Sequence, residues 1–135
     1  MAEWVASVSG VASALRESTD AHAFAGRFGT PRASERIPNG FRVDLSDPFV
    51  AALEIRPWSG AVAGLVDVLR RDDVEAPPVS EAEGWLGPLE DAPLFDSAVR
   101  RVSAVVPGTN GEAGILALFR LDADRIVAIA LRRDA

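Results

Sequence analysis

Few side chains in this sequence can do covalent or acid–base chemistry, and their spacing decides what remains. One histidine, no cysteine and no tyrosine occur among the 135 residues. Zinc sites built on Cys and His clusters, disulfide frameworks, thiol nucleophiles and phenolic proton donors are thereby excluded. Proton transfer would fall to carboxylates, to His22, or to Ser and Thr hydroxyls. His22 stands two positions after Asp20, so a carboxylate could orient it as a general base. The plainer reading is an exposed residue at a helix start, since no fixed spacing ties it to a nucleophile. No G-x-S-x-G elbow, phosphate loop or dinucleotide fingerprint is present. Asp72-Asp73 and Asp122-Ala123-Asp124 could hold a divalent cation but lack the ligand spacing and glycine turn of an EF-hand, and they read as solvated turns. No catalytic residue, metal ligand or cofactor is assigned on this basis.

Recognition chemistry has better candidates. Every one of the 14 basic residues is arginine, the side chain whose planar fork pairs with carboxylates through two hydrogen bonds. Three arginine pairs, Arg70-Arg71, Arg100-Arg101 and Arg132-Arg133, fall on or at the ends of strand-like segments. Alternation along a strand sends one member of each pair to either face. Trp4 belongs to a helical stripe and is expected in the core. Trp58 sits in a turn and Trp85 near a helix end, where partly exposed tryptophan suits a binding surface. Trp58, Trp85, Arg100 and Arg132 are the binding candidates.

These residues must be positioned by regular elements. Trp4, Val8, Val11 and Leu15 recur at helical spacing, so residues 2–16 are expected to form an amphipathic helix. Ser18-Thr19-Asp20 offers an N-cap to a second helix carrying Phe24 and Phe28, which Gly29-Thr30-Pro31 ends. Residues 32–40 read as a connection. Period-two alternation then begins: Phe41, Val43 and Leu45 on one strand, Phe49, Ala51, Leu53 and Ile55 on the next, Val62, Val66 and Val68 on a third. Ser46-Asp47-Pro48 and Trp58-Ser59-Gly60 mark the turns between them. The stretch 71–79, with Pro77-Pro78, reads as a linker, and Ser80-Glu81-Ala82-Glu83 as a capping box opening a helix that Gly87-Pro88 stops. Three more strands are expected near 96–106, 114–121 and 125–132. The fold class is therefore α+β: N-terminal helices on a mainly antiparallel sheet of about six strands, in one domain spanning 1–135.

The two halves invite comparison. Gly26-Arg27-Phe28-Gly29 aligns with Gly84-Trp85-Leu86-Gly87, and Leu69-Arg70-Arg71-Asp72 with Leu131-Arg132-Arg133-Asp134. Each half reads helix, glycine stop, three strands, Leu-Arg-Arg-Asp, which suggests an internal repeat of 20–73 and 80–134. In architecture this resembles the helix-then-meander repeat of beta-lactamase inhibitory proteins and of small outer-membrane assembly lipoproteins, and the resemblance implies a binding module. The chain departs from the former in lacking disulfides and from the latter in lacking a lipid-anchored cysteine.

The second meander is apolar on both faces, with Ile115, Ala117 and Phe119 against Leu116 and Leu118. An antiparallel sheet with one wet face alternates more cleanly, so a helix, a second subunit or a ligand is expected there. Twenty acidic residues give a formal charge of −6, which argues against nucleic acid as the main partner. An acidic N-terminus and short apolar runs argue against a signal peptide or membrane span, and a cytoplasmic setting is expected. The arginine-only, Ala- and Gly-rich composition suits a high-GC bacterial genome. Two functions fit. The first is a small non-catalytic interaction protein, binding a protein partner or a second copy as a homodimer, as immunity or chaperone-like proteins do. The alternative is a cone-shaped fold of the nuclear-transport-factor-2 type closing over a small apolar molecule, with Asp20, His22, Asp44 or Asp96 as its acid or base.

Overall fold

The computed structural model describes residues 2–18, 20–37, 39–57, 63–91, 100–108 and 114–133. Among the described residues three helices occur, α1 (Glu3–Glu17), α2 (Ala21–Gly26) and α3 (Val79–Leu86). The strands are β1 (Arg32–Ala33), β2 (Phe41–Asp44), β3 (Val50–Pro57), β4 (Ala63–Arg70), β5 (Glu90–Asp91), β6 (Arg100–Val106), β7 (Ile115–Asp122) and β8 (Arg125–Arg133). They form one antiparallel sheet in the order β1-β2-β3-β4-β8-β7-β6-β5. The α+β class and the antiparallel sheet agree with the sequence reading, but the sheet has eight strands rather than about six. The additional pair, β1 and β5, are two-residue strands, too short to carry an alternation that a pattern could reveal. Only one N-terminal helix is long.

The six longer strands meet as two meanders, β2-β3-β4 and β6-β7-β8, joined where β4 pairs with β8 from Leu65↔Arg132 to Val68↔Ile129. Side-chain alternation divides the sheet into two unlike faces. On one, Val43, Leu53, Ile55, Val66, Val68, Phe119, Ile129 and Leu131 are buried together with Val5, Val8, Leu15 and Phe24 of the helices. Trp4 lies in this core as expected, its ring centroid 6.1 Å from Phe49 and 6.3 Å from Phe119. Each fully buried side chain of this size contributes roughly 1.5–3 kcal/mol of hydrophobic stabilisation.

Local chemistry fixes the ends of the elements. Asp20 caps α2 by accepting hydrogen bonds from the backbone amides of His22 and Ala23. Asp47 makes the β2–β3 turn, its Oδ2 accepting from the amides of Phe49 and Val50 at 2.8 Å each. Gly87 ends α3 with φ +79°, a conformation that favours glycine. Arg133, last residue of β8, donates to the carbonyls of Leu15 and Ser18 and so closes the C-terminal end of α1.

Two sequence expectations need correction. Ser80 does not cap α3: the helix starts at Val79 with Pro78 at the cap position and no side-chain cap bond, and Glu81 instead accepts from the Trp4 indole at 2.8 Å. Nor is the Pro77-Pro78 stretch free. Val79 N–H donates to the Asp124 carbonyl and Ile126 N–H to that of Pro77, both at 2.8 Å, so the segment is pinned against the β7–β8 turn. Proline supplies carbonyl acceptors even though it lacks a donor, and composition alone hides that docking.

Gly40 is required by close approach. A Cβ there would stand 2.5 Å from Ile37 Cδ1 and 2.6 Å from the Ile55 carbonyl oxygen, and a strand carbonyl cannot step aside. Gly40→Ala is expected to destabilise the fold by about 1–3 kcal/mol through overpacking, read as a lower urea midpoint. An unchanged midpoint would show that the 34–40 loop moves without cost. Among the described residues, no helix is long and apolar enough to cross a membrane.

Candidate functional site

The face of the sheet turned away from the helices is concave. Strand register places its side chains in rows: Arg56, Leu65, Arg132, Leu116 and Val105 in one, Arg42, Glu54, Asp67, Ala130, Leu118 and Ser103 in the next, with Ala128, Arg120 and Arg101 in a third. Across these rows runs a groove of about 740 Å³. Its floor is apolar, with Leu65, Leu69, Leu118, Val127, Ala128 and Ala130. Around the floor stand Arg36, Arg42, Arg56, Arg70, Arg101 and Arg120, opposed by Asp67 and Asp72. Six of the 14 arginines of a protein with net charge −6 therefore converge on one surface.

The β3–β4 side of the groove is internally neutralised. Arg56 is ion-paired with Asp67. Arg42 Nε donates to Asp44 Oδ1 at 3.0 Å and Arg32 Nη2 lies 3.2 Å from Oδ2. These hydrogen bonds, that from Arg42 first, hold the Asp44 carboxyl below the usual carboxylate range against a smaller opposing cost of desolvation. Arg70 donates to the Val74 carbonyl. Glu54 is fully buried at the centre of β3, where an unpaired carboxylate would be costly. The connection from β1 to β2 covers it: Ser34 Oγ donates to Oε2 at 3.2 Å, and Arg36 Nη1 lies 3.1 Å from Oε1.

The β6–β7 side is different. Arg101 and Arg120 are direct cross-strand partners, and neither has an ion pair or side-chain hydrogen bond among the described residues. No family model matches this chain, nor does any curated protein or solved structure. Chemistry must therefore be read from the groove itself. A floor of Leu and Ala inside a ring of guanidinium groups can bury apolar side chains while accepting carboxylates at its margin.

The three described sequence candidates, Arg132, Arg100 and Trp85, are not brought together. Arg132 lies on the groove face, between Leu65 and Leu116. Arg100 pairs in register with Leu121 and lies 3.9 Å from Asp91, on the alternation shared with the core. Trp85 packs edge-on against Trp4 at 6.0 Å on the helix side and is half-buried. Trp58 lies outside the described residues, as does Asp96. His22 is exposed with its ring 4.2 Å from that of Phe41, and Asp20 serves as a cap. Arg36, Arg42, Arg56 and Arg120 were not singled out by sequence. Arg42, Arg56 and Arg120 each stand between inward-facing apolar positions of their strands, but only the β4–β8 junction brings them to one surface.

Proposed function

We propose that this protein is a non-catalytic binding module whose open sheet face takes up an acidic, amphipathic segment of a partner protein. The observation carrying this reading is the opposition of charge: an arginine-rich groove with an apolar floor on an otherwise acidic molecule. Such complementarity steers encounter and selects partners. The apolar second face of the β6-β7-β8 meander then has a purpose, because Leu118, Val127, Ala128 and Ala130 supply the floor. Packing of Phe24, Leu15 and Phe119 between helices and sheet favours this reading over a small-molecule pocket closed by the helices. A cytoplasmic setting accords with it.

A labelled peptide of alternating Leu and Glu tests the reading by fluorescence anisotropy, with its Leu/Lys counterpart as control. Binding of the Glu peptide, absent for the Lys peptide and weakening as salt rises, is the expected result. Equal binding of the two, or none of either, overturns it. If the natural partner is a second copy, light scattering will give a dimer that high salt dissociates.

The halves of the chain are also proposed to descend from one duplicated unit. Leaving α1 aside, each holds, among the described residues, a helix, a two-residue strand and three longer strands, and they meet antiparallel at their last strands. A chain built from 79–133 in tandem should form a folded antiparallel sheet by circular dichroism and NMR; an unfolded product counts against equivalence of the halves.

A further inference from the structure

We infer that Arg101 and Arg120 form a two-guanidinium clamp for a carboxylate of the bound segment, and that this clamp determines specificity. The inference rests on the groove being a site for acidic protein segments. Like charges placed directly opposite on neighbouring strands destabilise a sheet, yet these two arginines face each other across β6 and β7. The remaining arginines lining the groove are occupied within the fold: Arg36 by Glu54, Arg42 by Asp44, Arg56 by Asp67, and Arg70 by the Val74 carbonyl. Three of those four partners are carboxylates. Of the six arginines lining the groove, only Arg101 and Arg120 have no such partner among the described residues, and they border the apolar floor at Leu118 and Ala128. A carboxylate set between them would remove the repulsion and form charge-assisted hydrogen bonds with both forks, while the neighbouring apolar side chain of the segment settles on the floor. The uncomplexed protein thus carries an electrostatic cost that its ligand relieves.

The test uses the full chain, the variants Arg101→Gln and Arg120→Gln, and Arg27→Gln as a control on the helix side. Melting temperatures are measured in sodium succinate and in sodium chloride at equal ionic strength, and binding of the Leu/Glu peptide by anisotropy. Succinate should raise the melting temperature of the wild type and the control but of neither clamp variant. In chloride each clamp variant should melt slightly higher than wild type, because the repulsion is gone. Peptide affinity should fall by about tenfold or more in each clamp variant, the scale of a lost charge-assisted hydrogen bond. Succinate protection surviving in both clamp variants, or an affinity unchanged in both, overturns the clamp even when the peptide binds and the groove reading stands. If the peptide fails to bind while succinate protection disappears with either arginine, the clamp stands and the acidic-segment reading falls.

Discussion

Replacing Phe119 with alanine is expected to cost about 3–5 kcal/mol, the range for emptying a packed aromatic site. Phe119 is fully buried in the middle of β7. Its register partners are Val102 and Ile129, and its ring stands edge-on to Trp4, with centroids 6.3 Å apart and planes at 88°. It therefore touches the point where α1 and both neighbouring strands converge, and backbone strands cannot collapse into the space it leaves. Since domains of this size hold only about 5–15 kcal/mol in total, the variant loses a large share of its stability. A fall in melting temperature on the order of 10–20 °C follows from the usual unfolding entropy. Phe119→Leu should recover most of the loss. A melting temperature within a few degrees of wild type for the alanine variant would show that the core lies elsewhere. Because Phe119 points away from the groove, folded Phe119→Ala molecules should still bind the Leu/Glu peptide with wild-type affinity.

The second large effect is an asymmetry between the two members of one ion pair. Glu54 is fully buried while the Arg36 side chain is 67% exposed. Arg36→Ala leaves a buried carboxylate without its cation, and losing one partner of a buried pair costs about 3–5 kcal/mol. The nearby Arg42, opposite Glu54 on β2, offsets part of this, so a loss of about 2–3 kcal/mol is expected. Glu54→Gln should be far milder. It removes the buried charge, keeps an oxygen to accept from Ser34, and leaves Arg36 free in water. The double variant should lie close to Glu54→Gln alone. Denaturant melts of the four proteins close the cycle; equal losses in the two single variants would mean that the 34–40 connection, not the charge of Glu54, sets the cost.

Much of the architecture is legible in the residues because strand alternation and helical spacing are local signals. The α1 stripe from Trp4 to Leu15 and the strand-like runs around Leu53, Phe119 and Ile129 correspond closely to observed elements. What stays hidden is long-range. Neither the docking of Pro77 on the β7–β8 turn nor the covering of Glu54 by Ser34 and Arg36 leaves a periodic trace. The groove suffers most from this. Arg56 and Arg120 are 64 positions apart in sequence, and their presence on one surface depends on β4 pairing with β8. Arginines adjacent in sequence are visible as pairs, whereas Arg101 and Arg120 are neighbours only across strands.

That same β4–β8 ladder also governs how the chain must fold. Each meander is stitched by neighbours close in sequence: Asp44 with Ala52, Pro57 with Ala63, Val106 with Ile115, Asp122 with Arg125. Leu65 and Arg132 are 67 positions apart, and joining them closes by far the longer loop. Loop-closure entropy rises with length and slows non-local pairing. The entropic toll of folding is therefore concentrated at one four-residue seam, and the groove, whose floor straddles it, comes into existence only when that seam has closed.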